Sequence, residues 1–138
     1  MSATQQARES KRKDGKLISY PMAQAKIPKG ALVCINADGY AVNAVDSANH
    51  TFAGVAFETV DNSAGANGDK NIRVFTSGTF EFVDGGGNCA QTDIGVAFKI
   101  VDNQTVTDAS TTANITAGVA VERISSNKVR IRIDRFAS

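Results

Sequence analysis

Apolar residues in this chain come in short runs, and Gly, Asn, Asp and Ser break them every few positions. The final run is the cleanest. Val129, Ile131 and Ile133 alternate with Lys128, Arg130, Arg132 and Asp134, so one face is apolar and the other charged, as in a half-buried strand. Similar runs predict strands over residues 17–20, 31–36, 40–45, 52–59, 71–76, 79–83, 94–101, 105–108, 116–124 and 128–136. Asp38-Gly39 reads as a hairpin turn, Asp102-Asn103 as a second, and Ser77-Gly78 as a turn between two more strands. No window sustains a 3.6-residue apolar period, so no long helix is expected. Pro21 and Pro28, the only prolines, flank the entry into the body and belong outside central strands.

The pattern also repeats. Sliding the chain by about 64 residues lays Ala53-Gly54-Val55-Ala56-Phe57-Glu58 on Ala117-Gly118-Val119-Ala120-Val121-Glu122. In that register Asp38-Gly39 meets Asp102-Asn103, Val42 meets Val106, and Val60 meets Ile124. Residues 31–35 likewise meet 95–99. With a shorter second loop, Ile72-Arg73-Val74 matches Val129-Arg130-Ile131. The expected fold is therefore all-β: a compact barrel or sandwich with an internal duplication and pseudo-twofold character. Within the Gly-Val-Ala segments, Gly and Ala leave room for a neighbouring backbone, which is a core-packing role.

Composition refines this picture. The 138 residues suit one domain, with an expected division into a flexible basic arm (1–16) and a β-rich body (17–138). Up to Lys16 the chain holds five bases (Arg8, Lys11, Arg12, Lys13, Lys16) against Glu9 and Asp14, while the rest is mildly acidic. The arm is polar and aperiodic, and is expected to be disordered in the free protein. The formal net charge of +1 gives no bulk attraction to nucleic acid. No run approaches the roughly 18 apolar residues of a membrane span. The N-terminus lacks a signal peptide's apolar core.

A search for reaction chemistry turns up little. His50, the only histidine, falls in a predicted loop and reads as solvated. No Gly-x-Ser-x-Gly elbow is present. Cys34 and Cys89 lack metal-type spacing, and no disulfide is expected between them. Residues 61–69 (Asp61 to Asp69) are oxygen-rich but miss the EF-hand spacing, so they read as a plain loop. Gly85-Gly86-Gly87 lacks the Lys-Ser/Thr of a phosphate loop. Lys128, Arg130, Arg132 and Arg135, with Arg73, form a basic stripe, yet two tyrosines and no tryptophan leave few stacking platforms for nucleic acid. Neither enzyme nor cofactor is expected.

The order of several motifs resembles the capsid decoration (head cement) proteins of tailed bacteriophages. It runs from Ile27-Pro28-Lys29-Gly30-Ala31-Leu32-Val33 through Phe52-Ala53-Gly54-Val55-Ala56 to Gly68-Asp69, Ile72-Arg73-Val74 and Gly78-Thr79-Phe80. Ile94-Gly95, Gly118-Val119-Ala120 and residues 129–133 extend it to Phe136; the basic arm is not covered. The resemblance implies a β-rich virion protein, commonly trimeric, made in the host cytoplasm and placed on the outer surface of an expanded head. There it would bridge major capsid protein subunits, with no cofactor and no membrane or direct nucleic-acid partner. Capsid contacts are expected from the arm (Arg8, Lys11, Arg12, Lys13) and from Leu17, Ile18 and Tyr20, which are placed to add to a sheet edge. A tail or head-fibre component and a carbohydrate-binding β module are the alternatives; the scarcity of aromatics counts against the second.

Overall fold

The computed structural model describes residues 15–134. It contains twelve strands: β1 (Leu17–Pro21), β2 (Lys26–Ile27), β3 (Leu32–Ile35), β4 (Ala41–Asn43), β5 (Thr51–Ala56), β6 (Val60–Asp61), β7 (Asn71–Phe75), β8 (Ser77–Asp84), β9 (Ala97–Ile100), β10 (Thr105–Thr107), β11 (Thr116–Ser125) and β12 (Lys128–Asp134). The only helical element among the described residues is a 3-10 turn at Gln91–Asp93.

The duplication is real, and each half builds its own sheet. In the second half β10-β8-β12-β11-β9 close into a barrel, with β10 parallel to β8. In the first half the five equivalent strands lie in the same order, β1-β7-β5-β3-β4. Their ends meet only at a parallel bridge between Met22 and Ala41, where the Ala23 N–H donates to the Ala41 carbonyl at 2.9 Å. In the second half, Asp84 pairs with Val106 in the same way and the Gly85 N–H donates to the Val106 carbonyl at 2.8 Å. The first closure is weaker for a covalent reason. Val83 donates its N–H to the Gln104 carbonyl, and the residue in its place is Pro21, which has no N–H. We call the halves barrel 1 and barrel 2.

Matched hydrogen bonds fix the correspondence. Gly30 N–H donates to Ala56 O and Ala56 N–H to Ala31 O, both at 2.9 Å; Gly95 to Ala120 and Ala120 to Val96 repeat them at 2.9 and 3.0 Å. The ion pair Arg73–Glu58 recurs as Arg130–Glu122, each at 2.8 Å. The all-β, duplicated fold is as expected, built as one closed barrel and one five-stranded sheet whose ends meet at a single bridge. One expectation is corrected. In the first hairpin of each half the gapless register slips by one residue: Cys34 opposite Val42 matches Lys99 opposite Thr107, and Ile35 opposite Ala41 matches Ile100 opposite Val106. Barrel 1 carries one extra residue between β4 and β5.

Ser77-Gly78 is not a turn either. Both residues lie in β8, which pairs along its length with β12, and Gly78 is opposite Ile133. β7 and β8 are consecutive in sequence but lie in different barrels, so no hairpin joins them. The expected strand over 52–59 stops at Ala56, and the chain resumes as β6, which pairs with β2 beside barrel 1.

Two apolar clusters follow from this arrangement. Met22, Ile27, Val33, Ala53, Ile72 and Val74 line the interior of barrel 1. Phe98, Ile100, Val106, Val129, Ile131 and Ile133 line barrel 2. The alternation in β12 is as expected, with its three β-branched residues at 0% exposure. Leu32, Cys34, Phe52 and Val55, on the outer wall of barrel 1, join the barrel 2 cluster. The barrels therefore share a core.

Candidate partner-binding groove

Between the barrels runs a groove of about 920 Å³. β11 forms its floor. Ala117 and Ala120 point into barrel 2, so Val119 and Val121 point out and are 39% and 41% exposed. A bulge against β12 between Ala120 and Glu122 makes Val121 the extra residue of the strand. Ala97 lies opposite Val119 on β9, and Arg132 opposite it on β12. One side is made by His50, Thr51 and Phe52 at the start of β5, the other by the loop 113–115.

That loop is tied down. The Asp46 carboxylate accepts the Ala113 N–H at 2.7 Å and the Thr112 N–H at 2.9 Å, and these backbone donors hold it below the usual carboxylate range. Thr111 and Asn114 exchange two further bonds of 2.9 Å, with Asn114 at a φ of +53°. The rim of the groove is thus preformed. His50 is half-buried, not a solvated loop residue, and its Nδ1 is enclosed with no protein hydrogen-bond partner. A concave apolar floor with a few polar groups at its sides is suited to binding. Among the described residues no three His, Cys, Asp or Glu side chains converge as a metal site.

The remaining sequence candidates are placed as follows. Arg8, Lys11, Arg12 and Lys13 lie outside the described residues, as does most of the expected arm. Its last two residues are already part of the body: the Thr76 hydroxyl donates to the Gly15 carbonyl, and the Thr76 N–H to the Lys16 carbonyl at 3.0 Å. Leu17, Ile18 and Tyr20 are in β1, paired with Phe75, Val74 and Ile72 of β7. One edge of that segment is thus occupied by its own barrel. β1 is, however, the end strand of its sheet, joined to β4 only through Met22.

The basic stripe is largely neutralised. Arg73 meets Glu58 through two contacts of 2.8 and 3.0 Å, Arg130 meets Glu122, and Lys128 lies 3.5 Å from Glu81; Arg135 lies outside the described residues. In the oxygen-rich loop, Asp61 accepts from Ser63 and Asp69 from the Ala66 N–H. Asn62, 1% exposed, donates to the carbonyls of Met22, Ala23 and Ala66 and pins the loop to barrel 1. Cys34 and Cys89 enter the same core cluster but remain separate free thiols. Burial pushes the Cys34 thiol up to about 12.

Sequence reasoning missed the groove because it read Gly118-Val119-Ala120 wholly as core. Alternation about the buried Ala120 was the available signal that Val119 and Val121 face outward.

No protein-family model and no curated protein matches the chain. Among solved structures, the fold is similar to the N base of the head fibre protein gp8.5 of bacteriophage phi29. The match has 15% identity and a TM-score of 0.44, and covers 86% of this chain and 95% of that one.

Proposed function

We propose that this protein is a structural component of a tailed-phage virion. It binds the outer surface of an expanded head and stabilises it by bridging major capsid protein subunits. The observation that carries this reading is β1. It is the end strand of its sheet and follows directly from the basic segment 1–16, so an extended partner strand can be added along its outer edge while the basic residues reach an acidic surface beside it. The resemblance of the motif order from Ile27 to Phe136 to that of decoration proteins supports the same role. The body suits it as well: two barrels with a common core form a stiff block that holds its contact surfaces at fixed separation. Homo-oligomers, trimers among them, would multiply these contacts per particle.

The test is co-sedimentation with cognate expanded shells. Binding should saturate at a fixed ratio to the major capsid protein and be unchanged by chelators. Deleting residues 1–14 should weaken it while circular dichroism stays β-type. Absence of saturable binding would overturn the reading.

A further inference from the structure

Among the described residues, one wall is built twice and covered once. On barrel 1, Leu32, Cys34, Phe52 and Val55 point away from their own barrel and are 0%, 0%, 8% and 1% exposed, because barrel 2 packs on them. The matched strand pairing places Ala97, Lys99, Thr116 and Val119 at those positions on barrel 2. There Val119 is 39% exposed. Val121, 41% exposed, occupies the place of Phe57, whose ring packs edge-on against Phe75 at 5.3 Å.

The covering surface is also built twice. Barrel 2 reaches over barrel 1 with its β9–β10 hairpin tip. The Asn103 carbonyl accepts the Leu32 N–H at 2.8 Å, and the Asn103 side chain donates to Asn43 at 3.0 Å. The same tip on barrel 1 joins β3 to β4; Asp38 stands in the place of Asn103, and residues 37–39 are exposed. Beside it, Ile35 is half-buried where its counterpart Ile100 is fully buried.

We propose that a second copy of this chain covers the barrel 2 wall, seating its barrel 1 hairpin tip in the groove over Ala97, Val119 and Val121. The contact continues between chains the interface already made within one. It joins two different surfaces, so it is head-to-tail, and closes into a ring or extends as a chain according to the rotation at each step. Lys99 and Thr116 make this wall less apolar than its barrel 1 counterpart, so the association is reversible. The inference does not depend on the capsid reading.

Sedimentation equilibrium of the full chain over a concentration series is the test. The mass should rise above 14.5 kDa with concentration. Val119→Asp with Val121→Asp should hold the chain at monomer mass with β-type circular dichroism, and so should Asp38→Trp. If the valine pair disturbs the fold, Ala97→Arg on the neighbouring strand gives the same readout. Val83→Asp, at a valine 37% exposed outside the groove, should still assemble. Mixing the wall variant with the tip variant should restore dimers, because each keeps the surface the other has lost. The proposal is overturned by a wild-type chain that stays monomeric, by a mixture that fails to pair, or by loss of assembly in Val83→Asp. It is equally overturned if deleting residues 1–14 abolishes assembly while the groove variants leave it intact, since the N-terminal segment, and not the groove, would then carry the contact.

Discussion

Replacing Gly118 by alanine should destabilise the fold well beyond an ordinary surface change. A Cβ built there collides with the Arg132 carbonyl and comes within 2.7 Å of the Ile131 side chain. The carbonyl cannot yield easily, because β12 is held on its other side by β8, with Arg132 opposite Thr79 and Ile131 opposite Phe80. Overpacking of this kind costs about 1–3 kcal/mol, and spreading β11 from β12 sacrifices roughly 1 kcal/mol of ladder hydrogen bonding. The sum is about 2–4 kcal/mol, or roughly 6–15 °C in melting temperature for a chain of this size. Gly54 is its counterpart in barrel 1. There the Cβ meets the Phe75 carbonyl, and a φ of +152° adds backbone strain of about 1–3 kcal/mol, so Gly54→Ala should be the more damaging change. Gly15→Ala, with nothing within 4 Å of the added atom, is the control. Thermal melts followed by circular dichroism, with urea midpoints at unchanged slope, give the comparison. A Gly118→Ala melt within about 1 °C of wild type would refute the close-packing account of the repeat.

Acid should weaken the protein through three carboxylates held below their ordinary values of 3.8 and 4.5: Asp46 by the Ala113 and Thr112 N–H groups, Glu58 by Arg73, and Asp61 by Ser63. Their folded pKa values lie below the unfolded ones, so their contribution is complete above about pH 5 and is lost as pH falls through the folded values. Asp46→Asn should flatten the acid limb of a stability–pH curve, and an unaltered limb would contradict this. Both thiols should resist a disulfide reagent at pH 8 in the native state and react after unfolding, with no effect of reductant on melting; rapid native labelling of Cys34 would argue against its burial. Removing residues 1–14 should leave the melting temperature unchanged. Removing Gly15 and Lys16 as well should lower it, because their carbonyls accept from Thr76; equal melts would refute that contribution.

Much of the fold was legible locally. Alternation in β12 identified its buried face, and Gly54 and Gly118 marked the two strands where another backbone comes close. The single-residue slip between the β3–β4 and β9–β10 hairpins was hidden, because a gapless register that suits β5 and β11 cannot also suit a hairpin separated from them by a loop one residue longer. Ser77-Gly78 misled for a related reason. Turn residues between two apolar runs signal a hairpin only when the runs pair, and here β12, far along the chain, pairs with β8. The groove was the least legible feature. Val55 and Val119 sit in nearly identical local sequence, yet one is buried and the other exposed, because barrel 2 covers the first wall and nothing among the described residues covers the second. That difference is tertiary and leaves no local trace.

The central claim is that this protein strengthens a phage head, and shell melting tests it most directly. Expanded cognate shells are heated in a calorimeter with increasing amounts of added protein. A ligand that binds the assembled shell and not its separated subunits must raise the temperature at which the shell comes apart. The account predicts that the shell transition moves upward with occupancy and stops moving when binding saturates. A shell transition that stays fixed at full occupancy would contradict it.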